Sequence, residues 1–374
     1  CPTYQLLGDE LDGPRGRIYL IKQVLEGHAP TAKTQLHLDR CLTCRACESA
    51  CPSGVRYGRL LDIGRELVDE RVARTLLDRV KRKLLRIIIP HPARFTPLLR
   101  IGQALRNFLP RRLRPSVPEA HQEGRWPQAT HARVMLVLAG CAQSSLAPQI
   151  NIAAARVLGK LGINLRPLPD TGCCGALSHH LDAHEEARAF ARRNIDAWWP
   201  YIEAGAEAIV MTASGCGVFV KDYGHLLRED KNYAQKASRV AQMTRDLGEI
   251  LLDAENLAGM RTDAKGKKIA FHSPCTLQHG QRLNGVVETV LTRMGFQLTL
   301  VSDAHLCCGS AGTYSLLQRD LSQRLLENKL EALQSGLPEV ILTANIGCLT
   351  YMQSKASVPV RHWIEEVAEA CCRN

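Results

Sequence analysis

Twelve residues, Cys41-Leu-Thr-Cys44-Arg-Ala-Cys47-Glu-Ser-Ala-Cys51-Pro52, constrain this chain more than any other stretch. They read C-x2-C-x2-C-x3-C-P. The two-residue gaps let three thiolates turn onto one multinuclear metal cluster, while the fourth leaves to serve a neighbour. This is the spacing that holds [4Fe–4S] clusters in pairs. Pro52 then turns the chain away, because its φ is fixed and it has no N–H. Zinc also uses C-x2-C pairs, but four cysteines in one run closed by proline favour iron–sulfur. The chain opens on Cys1-Pro2, the pair with which such a motif ends. We therefore expect an earlier motif cut by the start of the sequence, with three cysteines upstream. The sharing rule then gives Cys1, Cys41, Cys44 and Cys47 to one [4Fe–4S] cluster. Cys51 goes to a second, whose other ligands are missing from these residues. An ordinary N-terminal thiol is the alternative for Cys1.

A length of 374 residues suggests two or three domains, and a hydrophobic share of 45% supplies real cores. With no run of about 18 apolar residues, no transmembrane helix is expected, and the residues given contain no signal peptide. A chain this long does not need disulfide staples. Most of its 15 cysteines also fall in metal-type patterns, so a reducing, cytoplasmic compartment is expected. The net charge of +11 is local. Residues 71–114 carry 13 Lys/Arg against one acid, Asp78, giving +12, so the remainder sums to about −1.

Apolar residues Ile18, Ile21, Val24 and Leu25 predict a helix over about Gly16–Gly27, after a turn at Leu11-Asp12-Gly13-Pro14. Another helix after Pro52 carries Leu60, Leu61, Ile63, Leu67 and Val68. In the basic segment, Leu76, Leu77, Val80, Leu84, Ile87 and Ile88 form a helical stripe between Arg79, Lys81, Arg82, Lys83 and Arg86. Pro90, Pro92 and Pro97 are expected to break it; a second stripe (Leu98, Leu99, Ile101, Leu105, Phe108, Leu109) runs to Pro110. Such a basic amphipathic pair can lie on an anionic membrane, dock on a partner subunit, or serve as a plain inter-domain linker. No recognition motif accompanies the charge, so nucleic acid is not expected. Residues 114–131 read as a linker.

From there the chain repeats. Cys141 matches Cys275, Cys173-Cys174-Gly175 matches Cys307-Cys308-Gly309, and Asn194 matches Asn328, each 134 residues apart. Cys216 and Cys348 are 132 apart. So long a period means a duplicated domain. Each copy reads strand, helix, strand, helix, strand: in the first, Val134–Leu138, Ile152–Leu161, Ile163–Leu168, Ala183–Trp199 and Ala208–Met211. Alternation implies parallel sheets. The cysteines follow strand carboxyl ends, where open α/β sheets bind ligands. Four thiols per copy are thus expected at one mouth: Cys141, Cys173, Cys174 and Cys216; Cys275, Cys307, Cys308 and Cys348. They are candidates for a further cluster, a zinc site or redox thiols, against the alternative of buried small hydrophobes. His179, His180, His305, His272 and His279 flank them and read as supporting or core residues rather than ligands. Cys371 and Cys372 lie outside the repeat and read as incidental. Trp198-Trp199 reads as core at a helix end.

The chain resembles the iron–sulfur subunit of bacterial glycolate oxidase (glycolate dehydrogenase). The resemblance rests on Cys1-Pro-Thr-Tyr-Gln-Leu-Leu-Gly-Asp-Glu-Leu-Asp-Gly-Pro-Arg-Gly-Arg-Ile-Tyr19, the Cys41–Pro52 motif, Thr212-Ala-Ser-Gly-Cys216, Cys275-Thr-Leu-Gln-His279 and Cys307-Cys-Gly-Ser-Ala-Gly-Thr313. It implies an α+β multidomain protein. A helical two-[4Fe–4S] ferredoxin-like domain, N-terminally truncated, occupies 1–70. Basic amphipathic helices and linker occupy 71–130, and a duplicated α/β cysteine-rich (CCG) domain occupies 131–262 and 263–374. It further implies two [4Fe–4S] clusters in the full-length protein, no FAD and no catalytic residue on this chain, and FAD-binding partner subunits that oxidise glycolate to glyoxylate. The electrons would pass towards a membrane quinone, from a position on the inner face of the cytoplasmic membrane. Related lactate, glycerol-3-phosphate and heterodisulfide systems share the plan. The other readings are a docking scaffold with metal-free repeats and a dithiol–disulfide reductase. The wider double-cysteine family ends each domain with C-x2-C; here Ala213 and Asn345 replace its first cysteine, which leaves four thiols per copy and puts a cluster there in question.

Overall fold

The computed structural model describes residues 1–374 except 109, 111–113, 115–116, 121–123, 129–130, 256, 258–265 and 373–374. Leu109 and part of the 114–131 linker thus lie outside the described residues.

The N-terminal region is helical. Helix α1 (Pro2–Leu7) leads through a 3-10 turn into α2 (Pro14–Leu25), which begins two residues before the sequence expectation because Pro14 supplies a preset φ at its first turn. Helix α3 (Ala32–Asp39) is closed by a Thr31–Thr34 capping box. The cysteine loop follows, with the short α4 (Ala46–Ser49), and then α5 (Tyr57–Arg71). Ile21, Val24, Leu38, Tyr57, Leu61 and Val68 form the core that fixes α2 and α3 against α5.

Helices α6 (Leu76–Ile88) and α7 (Pro92–Ala104) form the basic segment. Pro97 does not break the chain here; it sits inside α7, where an exposed helix tolerates the one lost backbone bond. Nor is α6 a plain linker. Arg74 pairs with Asp39 (2.6 Å), Asp69, Asp78 (3.3 Å) and Asp182 (3.7 Å), and Arg82 with Asp78 (3.0 Å), Asp39 (3.3 Å) and Asp182 (3.7 Å). Asp182 belongs to the first repeat, so these arginines clamp the helix to the body. The apolar stripe faces outward instead: Leu76 is 70% exposed and Leu77 64%.

Each repeat holds a four-stranded parallel sheet. The first has β1 (Arg133–Val137), β2 (Ile163–Pro167), β3 (Ile209–Met211) and β4 (Thr244–Asp246) in the order β2-β1-β3-β4. The second has β5 (Lys268–His272), β6 (Gln297–Leu298), β7 (Val340–Thr343) and β8 (Val360–His362) in the same order, β6-β5-β7-β8. Sequence reading finds three strands per copy; β4 (Thr-Arg-Asp) and β8 (Val-Arg-His) are short and largely polar, so no apolar run marks them. The helix predicted to end at Trp199 runs on as His184–Glu203 through Pro200. Trp198 is core as expected, whereas Trp199 donates its indole N–H to Glu203 at the surface.

The copies share one apolar cluster that joins Val137, Ile150 and Leu158 of the first to Phe271, Leu342 and Trp363 of the second. Their strand carboxyl ends face each other. Ser214 N donates to Ala344 O at 3.0 Å, Ser214 and Thr276 hydroxyls pair at 2.8 Å, and His362 Nε2 meets Thr212 O at 2.9 Å.

Candidate metal centres

Two non-glycine residues of the cysteine loop, Thr43 (φ 54°) and Arg45 (φ 58°), take the left-handed conformation. Such backbone is costly and persists where the surroundings enforce it. Here it folds the loop so that Cys41, Cys44 and Cys47 line one cavity with Cys1, Arg17 and Tyr57. The four thiols that the sharing rule grouped, 46 residues apart at their extremes in Cys1 and Cys47, therefore meet. Cys51 stands half-buried outside that lining.

Cys1 is held by a buried ionic hub. Asp12, fully buried, accepts from Arg40 Nη1 (2.9 Å) and Arg17 Nη2 (3.3 Å) and pairs with His37 Nδ1 (3.1 Å). Arg17 also reaches Thr3 Oγ1 (3.1 Å) and Cys1 Sγ (3.8 Å). Sequence reading treats Asp12 only as a turn residue.

These residues fit a [4Fe–4S] cluster. Its donors are soft thiolates, and N–H and O–H groups around the sulfurs stabilise their charge. Here Thr43 N (3.5 Å) and Tyr57 Oη (3.6 Å) donate to Cys41 Sγ. Burial, then the charge of Cys41, pushes the Cys47 thiol up to about 11. The Cys47 thiol thus holds its proton until metal displaces it.

The double cysteines of each repeat turn at a glycine that no other residue replaces well. Gly175 (φ +97°) and Gly309 (φ +86°) are left-handed, and an added Cβ would lie 2.9 Å from Ala187 O and 2.6 Å from Ser322 O. Each glycine N–H donates to the first sulfur of its pair, Cys173 or Cys307, at 3.4 Å. In the first copy Cys173 lies against Cys141 and, with burial, raises its pKa; Cys174 lies against Cys216. Asn194 ties the loop down through Gly172 N (3.1 Å) and Cys173 O (2.9 Å). Its sequence match Asn328 does not repeat this. Asn328 is exposed, and the buried Lys329 instead donates to Asp303 O (2.8 Å) and Ala304 O (3.4 Å). The helices are one residue out of phase.

The second copy links its thiols in the same order, Cys275 to Cys307, Cys307 to Cys308 and Cys308 to Cys348. Cys275 and Cys307, with sulfurs 3.9 Å apart, turn towards the N-terminal region, where they share an apolar cluster with Leu42, Cys44 and Tyr314. Cys308 and Cys348 also lie with His272, one donor atom of each within 4.8 Å of the others. Sequence reading set His272 aside as a supporting residue. The structure brings it to the thiols. Asn345, in place of a cysteine, donates to Cys348 Sγ (3.5 Å) and accepts from Gly215 N of the first copy (3.4 Å).

Two other flanking histidines make bonds away from the thiols. His179 Nε2 pairs with Asp62 at 3.3 Å, and His279 Nδ1 with Ser49 Oγ at 2.9 Å, both bridging to the N-terminal region. His180 is buried, which pushes its pKa down to about 3. His305 is exposed. Cys371 and Cys372 have sulfurs 3.3 Å apart on the last helix.

The fold and cysteine sets define an iron–sulfur protein in which a cluster-binding domain precedes paired cysteine-rich domains. Residues 1–56 match the 4Fe-4S dicluster domain family, and 135–221 and 269–353 the cysteine-rich domain family. The chain is 58% identical to the glycolate oxidase iron-sulfur subunit of Escherichia coli (strain K12), over 99% of this chain and 91% of that protein. It is 29% identical to the probable glycolate oxidase iron-sulfur subunit of Bacillus subtilis (strain 168), over 94% and 85%. Lactate utilization protein A of Exiguobacterium sp. is 27% identical over 56% of this chain and 84% of its own. The chain belongs to the glycolate oxidase iron–sulfur subunits.

Proposed function

We propose that this chain is the electron-transfer subunit of a glycolate oxidase complex. An FAD-binding partner oxidises glycolate to glyoxylate, releasing two electrons, and this chain carries them towards a membrane quinone. The reading divides the chain at 1–70, 71–130, 131–262 and 263–374. It assigns Cys1, Cys41, Cys44 and Cys47 to one [4Fe–4S] cluster and Cys51 to a second. A cluster on these thiolates supplies one-electron transfer. The observation that carries the proposal is the meeting of those four thiols in one cavity, with Cys44 packed against Cys275 and Cys307. Arg17 brings buried positive charge to Cys1, and Tyr57 and Thr43 donate to Cys41, so the chain itself offsets added negative charge at the sulfurs.

The membrane side of the reading rests on α6. No helix among the described residues is long and apolar enough to cross a membrane. The outward stripe of Leu76, Leu77, Val80, Leu84 and Ile87 is flanked by Arg79, Lys81 and Lys83, the arrangement of an interfacial helix on anionic lipid.

The test is anaerobic EPR of the chain with and without its FAD-binding partner, after adding glycolate. Cluster reduction that requires both partner and glycolate supports the proposal. An iron-loaded chain that stays oxidised beside an active partner sinks it. Lactate and glycerol 3-phosphate in place of glycolate separate the related systems.

A further inference from the structure

We propose that His272, Cys308 and Cys348 form a mononuclear metal site in the second repeat, of the Cys2His type that takes Zn2+. The site is separate from the ferredoxin-type clusters and is absent from the first repeat. One ring nitrogen of His272 and the two sulfurs already lie within 4.8 Å of one another. Tetrahedral zinc with Zn–S near 2.3 Å and Zn–N near 2.0 Å sets such donors about 3.5–3.8 Å apart, so closure needs only small side-chain rotations.

The second observation is an orphan atom. His272 is 2% exposed, and its Nδ1 is committed to Thr343 Oγ1 at 3.0 Å. Its Nε2 is buried with no hydrogen-bond partner among the described residues. A polar atom buried without a partner is costly. A metal ion removes that cost, and the Nδ1 bond to Thr343 is the outer contact that fixes a ligating imidazole's ring and tautomer. Cys348 is supported in the same way by Asn345 Nδ2 at 3.5 Å.

The site also explains an asymmetry between the copies. The position of His272 is Leu138 in the first repeat, 134 residues earlier. Leu138 is core, and among the described residues of the first repeat no comparable Cys/His group assembles. In the second repeat the four linked thiols have different further neighbours. Cys275 and Cys307 face Cys44, while Cys308 and Cys348 join His272. A Cys2His set is borderline-soft and suits Zn2+ among abundant divalent ions.

The test is metal analysis of the full-length chain, isolated anaerobically with its iron–sulfur clusters and passed through gel filtration, with X-ray absorption at the zinc edge. The expected result is about one zinc per chain beyond the iron, with mixed sulfur and nitrogen scattering. His272→Asn keeps a donor towards Thr343 but removes the Nε2 ligand. It should lower retained zinc at least about fivefold with iron unchanged, a loss on the scale of a removed ligand contact. Leu138→Ala and Cys216→Ser in the first copy should leave zinc unchanged. Zinc equal in His272→Asn and wild type, an all-sulfur shell in the wild type, or iron with acid-labile sulfide filling this site would each overturn the proposal. The zinc-edge spectrum decides the matter even where a variant does not fold. None of these outcomes depends on electron transfer from the partner.

Discussion

Tyr57 donates its hydroxyl to Cys41 Sγ across 3.6 Å, from a side chain only 4% exposed. A hydrogen bond to a cluster sulfur stabilises the reduced, more negative state and so raises the reduction potential. Tyr57→Phe keeps the ring in the core and removes that bond. The potential should fall by on the order of tens of mV, the differential part of one charge-assisted hydrogen bond, with iron content unchanged. EPR-monitored redox titration reads both, and an unmoved midpoint would show that the bond has no hold on the cluster.

The ligand assignment makes Cys44 and Cys51 separable. Cys44→Ala and Cys51→Ala should each remove about four iron atoms per full-length chain, because each takes a ligand from a different cluster. Their residual EPR signals should differ. Identical residual signals would mean that the two thiols serve one cluster.

Asp12 accepts from Arg17 and Arg40 and pairs with His37, and it is fully buried. Removing one partner of a buried ionic set strands the others, at about 3–5 kcal/mol. Asp12→Ala should therefore lower the denaturation free energy of the N-terminal region by about that much, and Cys1 should release its cluster first. Chemical denaturation followed at the cluster absorbance reads the change. A loss below about 1 kcal/mol, the range of exposed pairs, would contradict the hub.

His362 joins the repeats: its Nε2–H donates to Thr212 O at 2.9 Å, and its Nδ1 accepts from Ile364 N at 3.3 Å. The Nδ1 bond needs the neutral ring, whereas the Nε2–H bond to Thr212 persists on protonation and is outweighed by burial. Burial pushes its pKa down to about 4, from the ordinary 6.5. Between those values the unfolded chain binds the extra proton and the folded chain does not. The stability it contributes is complete above about pH 6.5 and is lost as pH falls towards 4, by about 3 kcal/mol in all. Asp246, pushed up to about 6 by burial, acts with the opposite sign. The comparison is therefore between wild type and His362→Gln, whose stability should fall less steeply between pH 6.5 and 4. Parallel curves would remove His362 from the acid response.

The outward stripe of α6 predicts lipid binding. Leu77→Asp with Leu84→Asp should reduce co-sedimentation with anionic vesicles several-fold without unfolding the helix, because Arg74 and Arg82 still clamp it to Asp39 and Asp182. Raising salt should weaken binding of the wild type. Vesicle binding unchanged by the double substitution would leave the stripe as a contact for the partner subunit.

What the sequence determined by itself was whatever covalent spacing enforces. C-x2-C-x2-C brings three thiols together over six residue steps, whatever the rest of the chain does. The Cys1-Pro2 pair pointed to the fourth, which lines the same cavity. The 134-residue repeat and the alternation of strand and helix gave two parallel sheets with cysteines at their carboxyl ends. What only the tertiary structure decided lies between segments far apart in the chain. His272 meets Cys308 and Cys348 because β5 and β7 pair side by side, placing His272 opposite Thr343 and next to the loop that carries Cys348. Cys44 meets Cys275 and Cys307 because the N-terminal region docks on the second repeat, through Tyr314 Oη on Arg40 O at 3.1 Å. The periodicity of α6 gives its apolar stripe but not which side faces water. That was set by Asp39 and Asp182, two acids from other elements that drew Arg74 and Arg82 inward. A local pattern records which residues share a face; only packing across the chain records what the face meets.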